Sequence, residues 1–289
     1  MSEKTTSVEI ISTTENAVSD FNDGIKATER SIWQEVLVSL GSLKLGSGII
    51  IPNTENLGVL RSVQNKLKSI VVNDTYRKRV NKFIGNFDVL KGINDKFLAN
   101  DPGFNPNSAV LKEVLRSSVN LTKESLLASG IDQQVIQPVA NILKDGITSG
   151  SSLVEMEGTL RTTILGDANR LGQLERYTSQ ITRDALNQFS RNYSQSVAAS
   201  TGMEWYFYSG SVIEDTREYC QERAGKYFHK KEVERVPSQW AGKIPGTNAG
   251  NIFINAGGFN CRHTYLPVLI NVVPRSVVER NVNNGNFRE

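Results

Sequence analysis

Apolar residues recur every three or four positions through most of residues 55–200, the spacing that gathers them on one face of a helix. Leu57, Leu60, Val63, Leu67 and Ile70 form one series, and Val80, Ile84, Phe87 and Leu90 form another. They predict two helices joined by a turn at Asn73-Asp74, with Asp74 able to cap the second. Residues 101–107 hold two prolines and a glycine, which a helix interior excludes, so a boundary is expected there. Helical spacing resumes with Val110, Val114, Leu115 and Leu121, again from Ile131 to Ile147, and again from Leu153 to Ile164. The clearest series is Leu171, Leu174, Tyr177, Ile181, Ala185, Phe189, Tyr193 and Val197, closed by Gly202. No strand-like alternation interrupts residues 55–200.

The character changes after Gly202. Trp205-Tyr206-Phe207-Tyr208 is a run of strong strand formers. Asp215-Thr216-Arg217-Glu218 reads as a capping box opening a short helix that carries Cys220. Lys226-Tyr227-Phe228 is a second candidate strand, Lys230 to Glu234 a helical turn, and residues 237–260 a loop dense in Gly, Asn and Pro. A last strand, Thr264 to Ile270, belongs at a sheet edge because Pro267 has no N–H for a ladder. The expected fold is α+β: a predominantly helical, elongated region over 31–200, then a small mixed α/β domain over 201–275. Residues 1–30 are rich in Ser, Thr and acids without a sustained apolar period and are expected to form a mobile or docking arm; residues 276–289 are expected to be a polar tail.

Composition narrows the chemistry. With 33 Lys+Arg against 30 Asp+Glu the net charge is +3, too small to drive general nucleic-acid or membrane binding without a local patch. The longest apolar stretch, around Ser47 to Pro52, is far short of the ~18 residues that cross a bilayer. Residues 1–6 are polar and lack the basic-then-apolar order of a secretory leader, so synthesis in a cytoplasm is the expectation. Only Cys220, Cys261, His229 and His263 can supply thiolate or imidazole, which excludes a disulfide scaffold and a four-cysteine zinc site. P-loop, His-Glu-x-x-His and Gly-x-Ser-x-Gly signatures are missing from the chain.

From Tyr208 onward the order of residues resembles a known pattern. Tyr208, Gly210, Asp215-Thr216-Arg217, Cys220, Arg223, Gly225-Lys226, Gly257-Gly258, Asn260-Cys261-Arg262-His263 and Pro267, preceded by Arg183-Asp184-Ala185-Leu186 and Phe189, resemble the C-terminal domain of the Mu F-like minor head (head morphogenesis) proteins of tailed bacteriophages. The likeness covers about 100 residues, roughly 170–270. It implies a virion component of the capsid interior or portal vertex, made in the host bacterial cytoplasm without membrane contact before infection, with a structural or assembly role in the prohead. The partners it implies are the portal protein and the major capsid or scaffold proteins. It implies no settled catalytic activity.

Several readings of individual residues stand beside that likeness. Cys220, Cys261 and His263 are candidate zinc ligands, with His229 or an acid as the fourth; a Cys220–Cys261 disulfide and a pair of buried free thiols are the alternatives. A thiol-dependent enzyme or toxin-like module would use Cys220 or Cys261 with His263, and Gly257-Gly258 could offer backbone amides to an oxyanion. Arg217, Arg223 and Arg262 suit either an anion clamp or internal pairing with Asp215, Glu218 or Glu222. The aromatic run from Trp205 to Tyr208 suits core packing better than base stacking. Arg61, Lys66, Lys68, Arg77, Lys78, Arg79 and Lys82, opposed by Asp74 alone, form a candidate contact with packaged DNA or a solvated helix face. The long stripe from Leu171 to Val197 offers packing within the chain or self-association.

Overall fold

A computed structural model of the chain describes residues 2–239, 244, 246–258 and 261–288. The fold is α+β and mostly helical, with a few small antiparallel sheets. The predicted helices are present, and the region from 54 to 98 holds three: Thr54–Val71, Asp74–Ile84 and Asn86–Leu98. Asn73, not Asp74, caps the second, accepting from the Tyr76 N–H at 2.8 Å. The longest helix, Gln173–Thr201, carries the longest predicted stripe from Leu174 to Val197, while Leu171 lies in a two-residue strand before it and is exposed.

Residues 1–30 depart from the expected arm. Glu3–Asn22 is a helix, and Ile25–Leu40 follows it. Thr6, Ser7, Ile10, Thr14, Ala17, Val18 and Phe21 are buried along the first helix. Small and hydroxylated residues occupy much of that buried stripe, so hydropathy marks it weakly. The expected polar tail also differs, because Arg275–Asn283 is helical and the Asn281 side chain is fully buried. Its amide donates to Glu232 Oε2 at 3.0 Å and its Oδ1 accepts from Asn286 at 2.9 Å, so hydrogen bonding replaces apolar contact.

The chain divides into two compact units assembled from separated segments: 1–16, 85–119 and 183–289 in one, 17–84 and 120–182 in the other. The second unit is a helical assembly whose core includes Ile32, Val36, Val63, Leu67, Leu143 and Leu160. Asn56, fully buried there, ties the connection before its helix: its Oδ1 accepts from Lys44 N–H at 2.8 Å, and its amide donates to the Lys44 and Ile51 carbonyls at 3.0 and 2.7 Å.

The first unit contains a three-stranded antiparallel sheet. Strand β1 (Trp205–Ser209) is central, with β2 (Lys226–His229) and β3 (Thr264–Val268) at the edges. Tyr208 lies opposite Lys226 on one side and Tyr265 on the other, and Pro267 occupies an edge strand as expected. Side chains alternate along β1, so Tyr206 and Tyr208 join one core cluster while Trp205 and Phe207 join another. Both faces are covered, which explains an uninterrupted aromatic run where a half-exposed strand would alternate with polar residues. Val273, Val278 and Phe287 pack with Trp205, while Tyr219, Cys220, Val233, Phe253 and Cys261 pack with Tyr208.

Candidate functional site

The residues after β1 turn back sharply. The Ile213 N–H donates to Thr216 Oγ1 at 2.7 Å and the Thr216 N–H returns a bond to the Ile213 carbonyl at 3.0 Å. This turn leads into the helix Glu218–Arg223, whose N-cap is Arg217 and which has no side-chain cap, so the expected Asp215/Glu218 capping box does not form. The helix presents Cys220 to the β1 face, where Tyr208 Oη lies 3.2 Å from Cys220 Sγ. Its end is tied to the sheet by the Gly225 N–H, which donates to the Tyr208 carbonyl at 2.8 Å.

The second sulfur arrives from the other side of the sequence. The short helix Ile252–Asn255 ends in a turn at Ala256, Gly257 and Gly258, and the Cys261 N–H donates to the Gly258 carbonyl at 3.1 Å. Asn260 lies outside the described residues. The two sulfurs come within 3.8 Å of each other, and both cysteines are buried and unbonded as free thiols. Cys261 Sγ lies 4.0 Å from His263 Nδ1, and all three ligand-type atoms fall within 4.8 Å of one another. The separation excludes a disulfide in this structure, since a bonded pair sits at about 2.05 Å.

Glycine permits this approach at two points. A Cβ on Gly257 would stand 2.3 Å from Cys220 Sγ and 2.9 Å from Cys261 Sγ, so only a hydrogen fits between backbone and sulfurs. A Cβ on Gly210 would meet the His263 ring at 2.4 Å, and Gly210 has φ +149°. The His263 ring stacks on Tyr208 at 5.5 Å between centroids, 8° from parallel.

Charge and hydrogen bonding favour a thiolate at Cys261. Its sulfur accepts from the Gly257 and His263 N–H groups, both at 3.3 Å. The hydrogen bond from Cys220, against the opposing effect of burial, together with His263 and the Arg191 guanidinium, holds the Cys261 thiol well below the ordinary cysteine range. The same shared hydrogen bond, with burial, pushes the Cys220 thiol up.

Arg191 anchors the whole loop. It extends from the long helix and is 5% exposed; its Nη1 donates to the Ile254 carbonyl at 3.1 Å, and its Nη2 to the His263 carbonyl at 2.7 Å and to the Cys261 carbonyl. Periodicity passes over this residue, although a cation on the helix that carries the buried stripe is the signal that could have marked it.

The three arginines of the motif are engaged within the unit. Arg217 Nη1 donates to the Gly257 carbonyl at 3.2 Å. Arg223 lies 4.1 Å from the centre of the Tyr219 ring, and Nη1 reaches the Tyr219 carbonyl at 3.0 Å and Glu222 at 3.4 Å. Arg262 pairs with Glu15 at 3.3 Å, a partner from the first helix that the sequence did not suggest. A cavity of about 340 Å³ adjoins the Cys–Cys–His cluster, with Arg183, Asp215, Arg217 and Arg262 also on its wall.

Other candidates lie elsewhere. His229 does not join the cluster: its ring is 4.9 Å from Trp205, its Nδ1 accepts from the Lys231 N–H at 3.2 Å and its Nε2 is 3.6 Å from Glu204. Removal from water there pushes its pKa down. The aromatic side chains of β1 are all buried, which removes them as a base-stacking surface. In the helical unit, Lys66 pairs with Glu35 at 2.6 Å and Lys82 with Asp20 at 3.1 Å, while Arg79 donates to the Asp20 and Phe21 carbonyls and Arg77 to the Val72 carbonyl. Arg61, Lys68 and Lys78 are exposed on the same helices. No helix among the described residues is long and apolar enough to cross a membrane.

No family model matches the chain, and no curated protein or solved structure matches it either.

Proposed function

We propose that this chain is a minor head protein of a tailed bacteriophage, with a structural or assembly role in the prohead. Its site of action is the portal vertex or capsid interior, and its partners are the portal protein and the major capsid or scaffold proteins. The observation that supports the reading is convergence. Residues that carry the Mu F-like likeness are spread from Tyr208 to Pro267, yet Tyr208, Gly210, Arg217, Cys220, Gly257, Cys261 and His263 surround a single point. The motif thus behaves as one packed unit, as a folded connector requires.

A binding role also agrees with the arginines. Arg217, Arg223 and Arg262 all contact groups within their own unit, which suits a rigid module better than an open anion clamp. The test is to co-express the full chain with the portal and major capsid proteins of a tailed phage that carries it, purify proheads and quantify each protein by mass spectrometry. The chain is expected at a fixed copy number per particle, with fewer normal particles when it is omitted. Particles of normal number and shape that contain none of it would overturn the reading.

A further inference from the structure

The geometry points to a zinc site formed by Cys220, Cys261 and His263, with its fourth position open to the adjoining cavity. This inference is independent of the head-protein reading. Two thiolates bound to a tetrahedral zinc at about 2.3 Å stand about 3.8 Å apart, and a thiolate and an imidazole nitrogen about 3.6 Å apart. The sulfurs here are 3.8 Å apart, and Cys261 Sγ is 4.0 Å from His263 Nδ1. Two edges of the triangle are thus within about 0.4 Å of ligand spacing, and the third, from Cys220 to His263, is no longer than 4.8 Å.

The surroundings fit a metal better than a plain pair of core thiols. The Gly257 and His263 N–H groups both point at Cys261 Sγ, the outer hydrogen bonding that steadies a metal-bound thiolate. Gly257 leaves no Cβ over the sulfurs, which a purely apolar core would have filled. His263 is buried beside the sulfurs, with its ring held by the stack on Tyr208. Arg191 fixes the carbonyls of both Cys261 and His263, so two of the three ligands are set by one guanidinium.

Two thiolates and an imidazole are a donor set that favours zinc over the hard cations, which select oxygen ligands. No fourth histidine, cysteine or carboxylate joins the group among the described residues. All three ligands border the cavity, together with Arg183, Asp215, Arg217 and Arg262. The open position therefore faces this cavity and is taken by water, the arrangement of a site with an exchangeable ligand.

The test uses the full chain, purified under reducing conditions, stripped with a chelator and then titrated with zinc and separately with cobalt(II). One metal per chain is expected, with a sulfur-to-cobalt charge-transfer band that zinc abolishes. Cys220→Ser and Cys261→Ser each weaken binding at least tenfold. Because a serine variant can fail to fold, alkylation of the unaltered chain supplies a second readout. Both thiols are expected to be protected when zinc is present and to gain reactivity when it is removed. Binding of zinc at no more than background, or a cobalt complex without the sulfur band while both thiols are reduced, overturns the inference. So does a Cys220–Cys261 disulfide in protein isolated without reductant.

Discussion

Replacing Arg191 by methionine tests how the site is held. The substitution keeps much of the aliphatic stem but removes the guanidinium, and the carbonyls of Ile254, Cys261 and His263 lose a donor. A buried carbonyl left without a partner costs about 1–3 kcal/mol, so three give a gross loss of about 3–9 kcal/mol. Relief of the desolvation of a buried cation offsets several kcal/mol of that. A net destabilisation of about 3 kcal/mol in the sheet-bearing unit is expected, which at 1.4 kcal/mol per tenfold corresponds to about 100-fold in local opening. Hydrogen exchange read by mass spectrometry on peptides covering β3 measures that opening directly. Arg191→Lys retains a charge but presents a single ammonium to three carbonyls, and it should fall between the wild type and the methionine variant. Unchanged protection of β3 in Arg191→Met, within about 0.5 kcal/mol, would refute the reasoning.

Gly257→Ala forces a methyl group against both sulfurs, at 2.3 and 2.9 Å before relaxation, and should cost about 1–3 kcal/mol by chemical denaturation; an unaltered midpoint would contradict the close approach. Glu29 is 2% exposed, and burial pushes its carboxyl up from 4.5 to about 7, with its Oε1 accepting from the Glu175 N–H at 2.9 Å. Because the folded-state pKa lies above the unfolded one, the contribution of Glu29 to stability is complete below about 4.5 and is lost as pH rises through about 7, a loss of about 3 kcal/mol at 1.36 kcal/mol per unit. Glu29→Gln keeps the acceptor without the charge, so its advantage over wild type should be absent near pH 4 and grow by pH 8; parallel stability curves would refute this. Asn56→Ala removes the partner of the Lys44 N–H and of the Ile51 carbonyl, while the Lys44 carbonyl keeps the Ile51 N–H, and should lower the denaturation midpoint by an amount equivalent to about 2–4 kcal/mol, whereas a shift under 0.5 kcal/mol would contradict the network.

Helices with large apolar residues at three- and four-residue spacing were legible in the sequence, as was the aromatic strand that became β1. The first helix was not, because Thr6, Ser7 and Thr14 fill buried positions with hydroxyls. The final helix was obscured for a related reason: Asn281 is buried through bonds to Glu232 and Asn286, a pairing no local pattern reveals. Cys220, Cys261 and His263 were selected by residue type, and folding brings them together. Their supports were harder to see, since Arg191 acts 63 to 72 positions away from the carbonyls it holds. Glu15 reaches Arg262 across most of the chain. His229 shows the opposite error: its type suited a ligand, but its strand position pairs it with Trp205.

The proposed site depends on two sulfurs from distant segments meeting beneath Gly257. Diffraction from crystals of the full chain, collected where sulfur scatters anomalously, locates them without reference to any chain tracing. The account predicts two peaks about 3.8 Å apart beside the His263 ring, whether or not a metal lies between them. Peaks on separate surfaces, or merged at the length of a disulfide, would contradict it.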